Sequence, residues 1–284
     1  GAAGAREVAR SARSSRLSPA FARRQSRRLA SILAASAVPV PLTFAMNAVR
    51  RRWQKEQFEP GWAGLLVNPF YFARRGLLTE LGACFPALTG EVLDVGCGRK
   101  PYRDHVPATR YVGVDVDTAV TRSLGVADVF YDGRTLPFAA ASFDGVLCSQ
   151  VLEHVFEPEV FLRELARVVR PGGRLVLAVP FAWDEHEQPH DFARYSSFGI
   201  RALLERSGFE VLAQRKSCAD ARAVVQLASG WIFKVTRSSS RLLNLAAQVA
   251  LIAPVNVLGA LAAALLPANP DFYLDNVVLA RRLP

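Results

Sequence analysis

The sequence predicts an α/β fold on a mostly parallel sheet, and three observations carry that expectation. Residues 92–95 form a short apolar run entering the glycine-rich turn Gly96-Cys97-Gly98, and nineteen residues after Gly96 the run YVGVDVD reaches Asp115. A strand, a glycine turn, a helix and a second strand ending in an acid make a nucleoside-binding βαβ unit. Apolar runs at 128–132, 142–149 and 174–181 then alternate with a helix-period segment at 158–169. With 284 residues, 51% of them apolar and 21% charged, the chain has ample material for one large core.

The charge is unevenly spread. Residues 1–60 hold eleven Arg and one Lys against three Glu, so nearly all of the net +10 lies in this arm. Being Arg- and Ser-rich and acid-poor, it has the composition of an organellar transit peptide. Its basic-then-apolar order with Ala35-Ser36-Ala37 also mimics a signal peptide. A basic arm lying on an anionic membrane surface is the third reading, and nucleic acid is the rival partner for so much arginine. Cys84, Cys97, Cys148 and Cys218 form no CxxC pair, which argues against a disulfide framework or a structural zinc.

The elements follow in order from residue 61. Residues 70–84 read as a helix leading into the domain, and the strand 92–95 opens into the turn. Gly96 and Gly98 let the backbone bend tightly and approach a ligand. A dinucleotide fingerprint would continue GxGxxG, but Pro101 stands at the third position. The expected ligand therefore has a ribose and no pyrophosphate. Pro158 suits the first turn of a helix carrying Phe161, Leu162, Leu165, Val168 and Val169 on one face, with Pro171-Gly172-Gly173 as its terminator.

These motifs, in this order over about residues 90–215, resemble the class I S-adenosylmethionine-dependent methyltransferases, in the subgroup that includes ubiquinone- and menaquinone-pathway enzymes. The resemblance implies a Rossmann-like sheet of seven strands, mostly parallel, with an antiparallel last strand and helices on both faces. It implies S-adenosylmethionine as cofactor. Asp94, Gly96, Cys97 and Gly98 would hold the methionine part, Asp115 the ribose, and Val116 would lie beside the adenine. Asp132 with Gly133 would read the adenine amino group, and Ser149 and Gln150 would lie at the cofactor's edge.

A hydroxyl acceptor needs a base to remove its proton, whereas an amine needs only to arrive neutral. His190 is the leading candidate, with His186 and His154 behind it, because 181–209 follows the fifth strand, where acceptor loops of open sheets gather. A metal held by His186, His190 and a carboxylate is disfavoured by Pro189 between the two histidines, so no metal is expected. Capping or loop ordering is the alternative role for this cluster. Enzymes that methylate base amines resemble D/N-P-P-Y/F after the fourth strand, where this chain has Ser149-Gln150-Val151-Leu152.

Residues 208–217 read as the sixth strand and 274–282 as the seventh, leaving 218–273 as an apolar helical insertion between paired strands. Within it, 242–270 carries no formal charge. Since both flanking strands belong to one sheet, the insertion must return on the side it left, which excludes a single membrane crossing. Two shorter helices meeting near Pro254 are expected, dipping into one leaflet or covering the acceptor. A lid packed on the protein's own core or on a dimer partner is the alternative. The combined expectation is an O-methyltransferase at a membrane surface, cytoplasmic and peripheral on the inner face, acting on a lipid, isoprenoid or lipid-linked sugar. A soluble metabolite or RNA as acceptor, and a cofactor-binding assembly subunit without turnover, are the alternatives.

Overall fold

A computed structural model of the chain describes residues 56–284. The Arg-rich stretch 1–55, with the targeting and arm readings attached to it, lies outside the described residues. Two helices, α1 (Gly64–Val67) and α2 (Tyr71–Gly82), precede β1 (Gly90–Val95). Next come β2 (Ala108–Val116), α3 (Ala119–Leu124), β3 (Val129–Tyr131), β4 (Phe143–Ser149), α4 (Pro158–Val168) and β5 (Val169–Pro180). The chain continues through α5 (Ser197–Arg206), β6 (Phe209–Lys216), α6 (Ala221–Thr236), α7 (Arg241–Ala247), α8 (Ala253–Leu265) and β7 (Asp275–Arg282).

The strands form one sheet in the order β3-β2-β1-β4-β5-β7-β6. Its first five strands pair in parallel, and β7 runs antiparallel between β5 and β6. The central strands carry apolar residues on both faces because both faces are covered. Val92, Leu147 and Val176 face one side and pack with Leu77, Leu81 and Phe85. Their neighbours Leu93, Val146 and Leu175 face the other, with Phe161, Leu162 and Leu165 of α4 and Ile200 and Leu204 of α5.

Three sequence expectations are corrected. The βαβ unit has no α-helix between β1 and β2; a single 3₁₀ turn, Arg103–His105, fills the gap. Few residues separate Gly98 from Ala108, and Pro101 and Pro107 bracket them, so a full helix has neither the length nor the donors. Pro171-Gly172-Gly173 does not terminate α4, which stops at Val168; Val169 already pairs with Phe143, and the Pro-Gly-Gly stretch forms the irregularity before Gly145 pairs with Arg174. Nor do two helices meet at Pro254. Arg241–Leu265 is one helical run of 25 residues. A π-turn at Gln248–Ile252 relaxes the hydrogen-bond ladder just before Pro254, which sits in the first turn of α8 and has no N–H to contribute.

The insertion lies on the functional side of the sheet. Both β5 and β6 run antiparallel to β7, so β6 ends on the edge where β1, β4 and β5 end, and Lys216 stands opposite Asn276 at the exit and return points. It packs on the body through an apolar cluster around Phe72, Ala223 and Leu274, and polar bonds are buried beside that cluster. Asn256 donates to the carbonyls of Leu65 (3.1 Å) and Asn68 (3.2 Å) and accepts from Ser229 (2.9 Å). Gln226 donates to the Pro69 carbonyl and accepts from the Ala73 N–H. Asn256, read from the sequence as an interruption of the apolar run, is therefore one of its anchors. The outer side is apolar, with Leu258, Leu261 and Leu265 exposed.

Candidate active site

Open α/β sheets bind ligands where the strand order reverses, beyond the carboxyl ends of the strands. Here that point lies between β1 and β4. A cavity of about 120 Å³ opens there, lined by Asp94, Gly96, Cys97 and Gly98 from the turn after β1 and by Ser149 and Gln150 after β4. Phe58, Arg74 and Tyr102 complete much of its wall. Sequence reasoning missed these three, because no motif spacing ties them to the glycine turn. The Arg74 guanidinium lies 5.0 Å from the Phe58 ring centre and places a cation at the cavity.

The turn is held from β2. Asp115 accepts from the Gly98 N–H at 2.9 Å and from the Val116 N–H at 2.9 Å. Burial raises its carboxyl above the ordinary aspartate value, opposed by those two N–H donors. Gly96 and Gly98 both take positive φ, 68° and 49°, a region that disfavours side chains. A Cβ on Gly96 would strike Val151, whereas beside Gly98 there is open space for a ligand.

Asp94 is buried, accepts from the Tyr111 hydroxyl at 2.7 Å, and is pushed up by burial to about 7. Gln150 adopts φ +59° and donates to the buried Asp275 at 3.1 Å, tying the end of β4 to the start of β7. Burial raises Asp275 to about 6. Asp132 lies beyond β3, exposed, and accepts from the N–H groups of Arg134 and Thr135, which lower its pKa. A Cβ on Gly133 would meet Val116 at 3.4 Å.

The histidines are arranged differently from the expectation that ranked His190 first. The His190 residue is exposed; it contributes its backbone carbonyl, which lies 2.7 Å from His154 Nδ1. A carbonyl only accepts, so neutral His154 carries its proton on Nδ1 and keeps the lone pair on Nε2. His186 packs edge-on against His154, with ring centres 4.8 Å apart, and its backbone N–H donates to Asp191. Asp191 is clamped by Arg194, whose hydrogen bonds hold it well below the usual carboxylate range. One ligand atom each from Glu153, His154 and His186 lies within 4.8 Å of the others. Relative to the grouping weighed from sequence, His154 stands in place of His190, and Glu153 is the carboxylate.

Glu153 is fully buried, and neither carboxylate oxygen has a hydrogen-bond partner among the described residues. Burial pushes its carboxyl up to about 8. Its unfolded value lies near 4.3. The folded chain thus keeps a proton that the unfolded chain has lost, and stability falls as pH rises from about 4 toward 8. Asp94 and Asp275 act with the same sign. Glu153→Gln is accordingly expected to raise Tm at pH 9 and to leave it nearly unchanged at pH 5. Thermal denaturation at both pH values checks this, and a variant less stable at pH 9 would contradict it.

The residues fit S-adenosylmethionine: an open glycine turn, an acid at the end of β2, and a cavity holding a cation for a carboxylate. Residues 93–177 match the family model described as a methyltransferase domain. An O-methyltransferase of Aspergillus nomiae is 29% identical over 165 residues, covering 49% of this chain and 73% of that protein. One of Aspergillus sclerotiorum is 30% identical over 166 residues, covering 49% of this chain and 62% of that protein, so the match spans less than two thirds of it. Among solved structures, an S-adenosylmethionine-dependent methyltransferase from Mesorhizobium loti is 18% identical with a TM-score of 0.47, covering 74% of this chain and 100% of that one. The glycine turn, the acids ending the strands and the family match together identify the chain as carrying a class I S-adenosylmethionine-dependent methyltransferase domain.

Proposed function

We propose that this methyltransferase modifies a hydroxyl oxygen of an apolar acceptor at a membrane surface. The observation that carries the proposal is the reversed polarity of α8: Ala253, Asn256 and Gly259 are buried, while Leu258, Leu261 and Leu265 face outward. The most apolar stretch of Arg241–Leu265 has a mean hydropathy of 1.9 and is only 22% buried. A surface helix in water turns its polar residues out; this one suits a lipid environment. Residues 221–270 contain no acid but include Arg222, Lys234, Arg237 and Arg241, which favours anionic lipid. The same insertion reaches the acceptor loop, since Lys234 pairs with Asp184 at 2.6 Å and Phe233 packs on Phe70, itself against Trp183.

S-adenosylmethionine supplies, when bound, a methyl group on a sulfonium whose departure leaves a neutral thioether. The chain's tasks are alignment, exclusion of water and removal of one proton. His154 Nε2 would accept the proton of the acceptor hydroxyl, and the contact of Nδ1–H with the His190 carbonyl would hold the ring for that role. The O-methyltransferase names of the relatives agree with oxygen as the acceptor atom.

Flotation with phosphatidylglycerol vesicles tests the membrane reading. The parent protein is expected to float, and Leu258→Asp with Leu261→Asp to bind at least tenfold more weakly, since each buried leucine contributes about 1.5–3 kcal/mol. S-adenosylmethionine affinity should be unchanged in that double variant. A parent protein that stays in the soluble fraction would overturn the proposal and leave a soluble metabolite as the acceptor.

A further inference from the structure

A second cavity, of about 470 Å³, lies on the opposite side of α2 from the cofactor pocket. Arg74 of α2 faces one cavity and Arg75 the other. The volume falls within the range of about 300–1,000 Å³ usual for small-molecule pockets. We infer that this cavity binds an anionic phospholipid, with the phosphate at Arg75 and the first part of an acyl chain along α8. The inference rests on the membrane reading above and adds a specific lipid site to it.

The walls have two characters. Along α8, Ala260 and Ala263 present small apolar side chains, and Leu65 of α1 continues that surface. Opposite stand Arg75, Thr79 and Arg222. The charges at this end are not equally engaged. Arg222 is gripped by both oxygens of Asp220, and Glu80 is taken by Arg215. Arg75 instead donates to a neutral carbonyl, that of Pro60, at 3.3 Å, and its side chain is exposed. Three guanidinium groups against two carboxylates leave one positive charge at the mouth. A phosphate there gains a charge-assisted hydrogen bond from a donor that pairs with no carboxylate among the described residues.

The occupant carries a chain because the apolar wall is continuous with the outer face. Both helices lining it expose apolar side chains beyond the cavity: Leu66 and Val67 on α1, and Leu261 and Leu265 on α8. A ligand seated with its phosphate at Arg75 can run along Ala260 and Ala263 toward that face. A free phosphate would use only the charged end and leave the alanine wall to water.

Calorimetry on the full chain with S-adenosylmethionine present tests this. Dihexanoyl phosphatidic acid, kept below its micellar concentration, is expected to bind saturably at one site. Inorganic phosphate at the same concentration should neither bind nor compete. Arg75→Gln and Ala263→Trp should each weaken lipid binding at least tenfold, the first by removing the donor and the second by filling the groove. Neither residue touches the cofactor pocket, so cofactor affinity should stay within about twofold and serves as the check on folding. Affinity for the lipid unaltered in Arg75→Gln overturns the inference, as does equal binding of inorganic phosphate. Vesicle flotation without short-chain lipid binding would reject this site alone. Short-chain lipid binding without flotation would reject the membrane reading and keep the site.

Discussion

Replacing Asp115 with Ala is expected to weaken S-adenosylmethionine binding by about tenfold to a hundredfold. A hydrogen bond to a charged group contributes roughly 1.5–3 kcal/mol, and each 1.4 kcal/mol is about tenfold in affinity. Asp115 sits where β2 ends beside the switch point, and ribose hydroxyls at that position need an acceptor. The carboxylate also holds the Gly98 and Val116 N–H groups, so Ala loosens the turn as well as losing the ligand contact. Asp115→Asn separates the two effects, because an amide oxygen can still accept one N–H while the charge is gone. Calorimetric affinities should then rank Asp above Asn above Ala. Equal affinity in all three would remove Asp115 from the ribose role.

How much of this was legible depended on which part of the chain carried the signal. β1, β4 and β5 announce themselves because a parallel strand covered on both faces has no polar alternation, and Leu93, Leu147 and Leu177 are all fully buried. The antiparallel place of β7 followed from the resemblance and agrees with the register. The helix expected between β1 and β2 came from a general βαβ pattern, and the local prolines outweighed it. Polar residues inside the apolar run misled in another way. A sequence shows that Asn256 interrupts hydrophobicity, but only packing shows that it faces Ser229 and the Leu65 carbonyl.

The cofactor cavity divides along the same line. Its glycine turn and the Asp94 that precedes it form one contiguous motif and were legible. Arg74 arrives from α2, and Asp275, behind the cavity's Gln150, comes from the far end of the chain; the β5-β7 pairing and the packing of α2 on the sheet bring them there. Gln150 links the two kinds. It belongs to a motif, yet its left-handed backbone and its bond to Asp275 have no sequence signature. Such a strained non-glycine residue persists only where the surroundings hold it.

His154→Ala should produce the largest effect, a loss of about 10²–10⁴ in turnover with S-adenosylmethionine affinity preserved. His190→Ala should change turnover little, because its role is carried by a backbone carbonyl that Ala retains. The two substitutions reverse the order in which the sequence ranked these residues, so they discriminate sharply. Free imidazole should partly restore the His154→Ala enzyme if a proton acceptor is what was removed, an outcome that a purely structural histidine would not give. Glu153 refines the expectation: its carboxyl lies 3.8 Å from Nε2 and gains an incentive to ionise once that ring takes up a proton. Glu153→Gln should therefore slow turnover while sparing cofactor binding, and by less than His154→Ala, since it acts through the base. If His190→Ala and His154→Ala were equally damaging, the ring of His190 would have to reach the acceptor, against the exposed position it takes here.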